Sequence, residues 1–222
     1  MITSKTNAWF KRVRNALREH GHEIVIEGRK AIDDAIAAGW KPIAQPEFSP
    51  SLLKSLNTTA VALFERPRLD PDYSKLVVAL DRVQDPGNVG TIVRLAAAFD
   101  AGGVILLPGC ADPYGPKAIR ASAAAVLSVP IAEMSLDDLL GKQPIFAADM
   151  SGSDAIPRGI LVFGSEGQGV SERIRSAAKL VRVETSGRVE SLNVAAAAAI
   201  LLWRVFNDRQ AAHRRNADRQ SR

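Results

Sequence analysis

Three stretches combine glycines with side chains that donate, accept or carry charge, and each follows an apolar run: DRVQDPGNVGTIVR over 81–94, FGSEGQGVS over 163–171 and ETSGRVESLNVA over 184–195. In the first, Pro86, Gly87 and Gly90 build a tight turn, and Asn88 or Thr91 is placed to cap the helix that follows. Arg94 comes six residues after Asn88, so both can lie near one sheet edge. An arginine among Ile92, Val93 and Ala96 is either half-buried beside an anionic partner or pointed at water. In the second stretch Gly164, Gly167 and Gly169 surround Glu166, so backbone N–H and carbonyl groups can approach a ligand with no side chain between. Its spacing is neither GxGxxG nor a phosphate-binding P-loop, which argues against nicotinamide cofactors and nucleoside triphosphates. In the third, Ser191 and Asn193 offer a hydroxyl and an amide at the start of an alanine-rich helix, where Asn193 suits an N-cap. The alanines let a cofactor loop or a second subunit pack closely.

Such loops work together only if strands bring their ends together. Apolar runs at 76–80, 104–107, 129–132, 145–148, 160–163 and 180–183 predict strands, and they alternate with predicted helices at 91–99, 116–127, 136–141, 171–178 and from 193 to about 210. Strands apolar throughout imply a parallel sheet covered on both faces, and in such sheets ligands bind beyond the carboxyl ends of the strands. Ahead of this part, Trp9, Phe10, Val13 and Leu17 recur at helical spacing over 7–19; strands at 23–26 and 61–65 and helices at 29–38 and 49–56 complete a small α/β unit. Pro67 and Pro71 stand among charges in 66–74, the composition of a linker. The expected division is therefore a small α/β domain at 1–66, a linker at 67–75 and an α/β parallel-sheet domain at 76–222.

The 222-residue chain carries a net charge of +5. That excess suits a polyanionic partner. Lys5, Lys11, Arg12, Arg14 and Arg18 crowd the first segment, and Arg209, Arg214, Arg215, Arg219 and Arg222 the last. Cys110 is the only cysteine, which excludes an internal disulfide. No apolar run approaches the ~20 residues of a membrane-spanning helix, and Met1 to Asn15 holds charges where a secretory signal has its apolar core, so a cytoplasmic protein is expected. His20 and His22 flank a turn glycine and are not expected to bind metal. Cys110 should pack near the sheet edge, and Trp40 and Trp203 should lie in a core or an interface.

Taken in order, PGNVGTIVR, FGSEGQGVS and VESLNVAAAAAILL resemble the three motifs of the SpoU, or TrmH, family of RNA ribose methyltransferases in the SPOUT superfamily. The resemblance spans about 76–206, and ITSKTNAWFKRVR with EGRKAIDDAI resembles the small, ribosomal-protein-like substrate-binding domain often found ahead of it, shortened here between Ala44 and Val61. It implies a deep trefoil knot, a homodimer with the active site between subunits, and S-adenosylmethionine as cofactor. Carried over, Gly164, Val183 and Leu192 would line the cofactor with Gly167, Gly169 and Ser191 close by, and Asn88, Arg94, Glu166, Ser191 and Asn193 would form the polar catalytic centre. The family's residue at the position of Arg94 is proposed to act as base. A guanidinium keeps its proton above pH ~12, so an electrostatic clamp on the RNA phosphate suits it better. Lys11, Arg12, Arg14, Arg29 and Arg94 are the expected RNA contacts. Ribosomal RNA is the expected substrate, with transfer RNA, or RNA binding without chemistry, as alternatives.

Overall fold

The structure is a computed structural model that describes residues 1–18, 21–67, 69–142 and 144–220, with side chains as far as 215. The expectations for His20 and Arg222 lie outside the described residues, as does the side chain of Arg219.

The chain begins with helix α1 (Ala8–Ala16), capped by Asn7, whose side chain accepts from the Trp9 amide. Strands β1 (Glu23–Glu27), β2 (Pro42–Ala44) and β3 (Val61–Glu65) form an antiparallel sheet in the order β1-β3-β2, with helices α2 (Arg29–Ala37) and α3 (Pro50–Ser55) between them. β2 gave no sequence signal because it has three residues, begins with proline and buries none of them fully. Phe10 and Val13 of α1 pack on Val25, Val61 and Leu63 from one side.

Strands β4 (Val77–Asp81), β5 (Gly103–Leu106), β6 (Ile131–Glu133), β7 (Ile145–Ser153), β8 (Ile160–Gly164) and β9 (Lys179–Val181) form a six-stranded sheet in the order β6-β5-β4-β8-β7-β9. Every pairing in it is parallel. β4 is buried at all five positions, as a central strand covered on both faces must be. The connections run outward from β4 through β5 to β6 and then resume on the other side, so the loops after β4 and β8 face each other where the winding reverses.

Around the sheet lie α4 (Pro86–Ala98), α5 (Pro116–Ala121), α6 (Leu136–Leu140), α7 (Glu172–Ala177) and α8 (Val194–Gln220). The helix expected over 116–127 is broken. Ala123 and Ala124 take positive φ of 49° and 65° before a 3-10 turn at Ala125–Leu127, whose last carbonyl accepts from the Trp40 indole. Trp40 therefore joins the two sheets, packing on Phe64 and Tyr114. Ile24, Ile26, Ile32 and Phe64 share one buried cluster with Ile119, Val126 and Leu127. The proline-rich stretch is held against the large sheet: Arg66 pairs with Asp112 and Glu133 and lies over the Tyr114 ring, and the Asp72 amide donates to Gly102. No helix among the described residues is long and apolar enough to cross a membrane.

Candidate active site

Helix α4 starts earlier than its apolar spacing predicts. Asp85 is the N-cap, accepting from the amides of Gly87 and Asn88, with Pro86 at the first helical position. Lys117 and then those amides hold the Asp85 carboxyl below its usual range. The capping role expected of Asn88 or Thr91 is thus already filled, and the Asn88 side chain is released for other work. Its Nδ2 donates to Glu166 Oε1.

Glu166 lies on a closed turn after β8. The Gly169 amide donates to the Ser165 carbonyl, and Gly169 has φ 66°, a value glycine adopts without strain. Gly164 is required for a different reason: a Cβ there would collide with the backbone of Gly169 and Val170. At Gly167 and Gly169 a Cβ would meet nothing within 4 Å, so the turn keeps open space beside its backbone.

Asn193 caps α8, its Oδ1 accepting from the Ala195 amide at 2.9 Å. That bond fixes the rest of a chain. With Oδ1 committed to the helix, Nδ2 is the atom left to face Asn88, and it donates to Asn88 Oδ1 at 3.3 Å. Asn88 must then turn its own Nδ2 to Glu166. One helix cap thereby orients two amides and a carboxylate drawn from all three loops.

Beside this chain lies a cavity of about 530 Å³ whose wall includes Gly164, Gly167, Gly169, Val183, Ser191 and Leu192. Those six, expected from sequence to surround a cofactor, are thus brought together. Glu166 also lines the cavity, while Asn88 and Asn193 are not part of its wall. The sequence reading missed the far wall. Asp149 and Ser151 on β7 and Arg175 on α7 line it, with Arg175 paired to Asp149 at 2.8 Å and donating to Ser151 Oγ at 3.0 Å. Burial pushes the Asp149 carboxyl up, but the Ser151 hydroxyl and amide and then Arg175 outweigh it and hold it below the usual range. A signal existed in the polar run DMSGSD that continues an apolar strand. Among the described residues no cluster of potential metal ligands occurs.

Arg94 stands apart. Six residues at about 100° each place it roughly 120° round α4 from Asn88, and it is exposed and absent from the cavity wall. It has no hydrogen-bond or ion-pair partner among the described residues. Within one chain Arg94 thus takes no part in the Asn193–Asn88–Glu166 chain or in the cavity wall. On α1, Lys11 and Arg14 are exposed, as is Arg29 on α2. Arg12 is already engaged: its guanidinium holds both oxygens of Glu23 and lies 5.0 Å from the Trp9 ring centre.

Residues 75–203 match the SpoU rRNA Methylase family. The chain is 28% identical over 207 residues to the 23S rRNA (guanosine(2553)-2'-O)-methyltransferase of Bacillus subtilis, covering 86% of this chain and 84% of that one. It is 36% identical over 158 residues to an uncharacterized tRNA/rRNA methyltransferase of Synechocystis, covering 65% of this chain and 58% of the relative's length. Among solved structures, the rRNA methyltransferase of Sinorhizobium meliloti with AdoMet bound superposes with a TM-score of 0.83 at 26% identity, covering 93% of this chain and 97% of that one. The SpoU methyltransferase AviRb of Streptomyces viridochromogenes gives 0.81 at 26% identity, covering 93% and 99%. With the match spanning more than half its length, on a six-stranded parallel sheet of the kind these structures share, the chain belongs to the SpoU rRNA methylase family.

Proposed function

We propose that the protein transfers a methyl group from S-adenosylmethionine to the 2'-hydroxyl of a ribose in structured RNA, most suitably ribosomal RNA, in the cytoplasm. The observation that carries this reading is the convergence of the three loops on one cavity with the Asn193–Asn88–Glu166 chain beside it. The named relatives support the reaction class.

The residues present fit the cofactor. The cavity lies within the 300–1,000 Å³ range common for small-molecule sites, it mixes the apolar Phe163, Val183 and Leu192 with polar groups, and the open flank of Gly167 admits a ligand against backbone. Bound there, S-adenosylmethionine would supply a methyl group from its sulfonium; the thioether left behind is neutral and calls for no acid, and the hydroxyl proton would pass to solvent as the O–C bond forms. What remains for the protein is alignment and stabilisation of charge on the attacking oxygen. Val183 and Leu192 would pack the cofactor, and Gly164 lets the turn close against the backbone of Gly169 and Val170. Glu166, held by Asn88, and Ser191 are polar groups of the cavity wall, brought there by the convergence of the three loops. Arg94 acts as an electrostatic clamp on the RNA.

Arg94 reaches such a site from a second copy of the chain. Ala196, Ile200 and Trp203 form an exposed stripe on α8, with Ile200 39% and Trp203 53% accessible, and α8 packs on α4, which carries Arg94. An apolar stripe of that kind suits a dimer interface. A trefoil knot is consistent with the return of α8 from edge strand β9 to α4. The unit at 1–66 would hold the substrate through Lys11, Arg14 and Arg29, with Arg12 in a supporting role.

Binding of RNA without chemistry draws on one observation, the absence of Arg94 from its own chain's cavity. Transfer of tritiated methyl to ribosomal RNA, followed by mapping of the protected ribose, tests the proposal. Incorporation confined to a 2'-oxygen is expected; label on a base overturns the ribose assignment, and cofactor-free RNA binding with no transfer favours the alternative.

A further inference from the structure

Among the described residues five non-glycine residues adopt positive φ, and Arg82, at 57°, is the one that opens the loop after β4. An L-residue in this region costs roughly 1–2 kcal/mol that glycine avoids. Backbone strain of this sort persists where the surroundings use the side chain. The Arg82 side chain is heavily used. Its Nε donates to Asp81 at 3.1 Å, its Nη1 to Gln168 Oε1 at 2.8 Å, and its Nη2 to the Gly169 carbonyl at 3.4 Å. Asp81 is only 4% exposed and accepts the Ser171 amide at 2.6 Å through its other oxygen. The pair thus grips the 165–171 turn at three points: a side chain, a carbonyl and an amide.

Neither Asp81 nor Arg82 lines the cofactor cavity, whereas Gly164, Ser165, Glu166, Gly167 and Gly169 all do. The grip therefore acts on the turn without adding to the cavity wall. We propose that Arg82 is a positioning residue, a clamp that fixes the glutamate-bearing turn so that Glu166 meets Asn88 and the backbone of Gly167 to Gly169 stays in the shape that receives the cofactor. This rests on the cofactor reading above only for its consequence; the clamp itself is a property of the free protein. Asp81 compensates the cation and ties the far end of the turn, so the two residues act as one unit.

Arg82→Gly is the telling substitution, because it removes the clamp and relieves the backbone at the same time. Arg82→Lys keeps a charge beside Asp81 but loses the fork that spans Gln168 and Gly169. Gln168→Ala removes one contact and leaves the Asp81–Arg82 pair intact. The first measurement is amide hydrogen exchange of the full chain without cofactor. Exchange across 165–171 should quicken about tenfold or more in Arg82→Gly, less in Arg82→Lys and least in Gln168→Ala, with the rest of the six-stranded sheet unchanged. The second is calorimetry with S-adenosylmethionine, where Arg82→Gly should weaken Kd by about tenfold while its melting temperature stays near that of the parent. Parent-like exchange over 165–171 in Arg82→Gly overturns the clamp, as does quickening spread evenly over the sheet. Local quickening with a parent-like Kd overturns its role in receiving the cofactor. Failure of the parent itself to bind S-adenosylmethionine sinks the cofactor reading instead, and the exchange result then still decides the clamp.

Discussion

In the unit built on the antiparallel sheet of β1 to β3 some charged side chains are paired with neighbours, Arg12 with Glu23, Lys30 with Asp34 and Glu27 with Arg120, while Lys11, Arg14 and Arg29 stand exposed. In the six-stranded parallel sheet the polar groups collect at the carboxyl ends, where Asp81, Asn88, Glu166 and Asn193 are joined across loops that are distant in sequence. The difference follows from strand direction. Antiparallel neighbours send alternate ends to opposite edges, whereas parallel strands deliver every post-strand loop to one edge. A count of charges therefore says little about the first region, and the spacing of glycines and amides says much about the second.

The largest effect is expected at the parallel edge. Arg94→Ala should lower methyl transfer by about 10²–10³-fold, the cost of removing one electrostatic stabiliser, while cofactor affinity and melting temperature stay unchanged because the side chain is exposed and unpartnered. Full activity in a tritiated-methyl assay would break the comparison by removing this exposed cation from the chemistry. Gly164→Ala should cost about 1–3 kcal/mol in urea unfolding, since a Cβ would meet backbone that cannot move aside. It should also weaken S-adenosylmethionine binding; a parent-like stability would mean that the turn is loose.

Asn193→Asp sharpens the contrast between a capping role and a network role. Aspartate caps α8 as well as asparagine, so the melting temperature should hold, yet a carboxylate oxygen would now oppose Asn88 Oδ1 and disturb its bond to Glu166. About tenfold less transfer is expected, the scale of one lost hydrogen bond to a charged group; unaltered transfer would reduce Asn193 to a cap.

The junction between the regions gives a stability test with no catalytic part. Ala124→Gly relieves a φ of 65° at the break between α5 and the 3-10 turn and should stabilise the protein by about 1 kcal/mol. A lower urea midpoint would show that the methyl group packs better than the backbone is strained. The smallest effect belongs to the antiparallel region. Replacing Lys11 and Arg14 together by Glu should lower the salt dependence of RNA binding by about one to two units of slope. Arg12→Ala should leave that slope alone, because its guanidinium is held by Glu23. Equal losses from both would erase the distinction between free and absorbed charge.

Much of this was legible beforehand because it is local. Period and apolarity located every strand of the parallel sheet within a few residues, and the three loops were recognisable because glycine, proline and capping residues act over one or two turns of chain. Even so, the start of α4 was misjudged, since Asp85 caps from outside the apolar pattern. The two-residue break at Ala123 and Ala124 was hidden altogether, alanine being a helix former with no local reason to turn left-handed.

Composition, spacing and capping chemistry determined which segments would be strands and helices, and which three loops would carry the polar groups. Tertiary structure alone decided their partners: that Asn193 turns Asn88 toward Glu166, that Arg82 grips the turn beyond β8, that Asp149 and Arg175 close the far wall, and that Arg94 is absent from its own chain's cavity wall. The physical reason is range. Backbone preference is set within a few residues, but the partner of a side chain depends on which strand ends the sheet places side by side, and that order follows from burial of the whole apolar core.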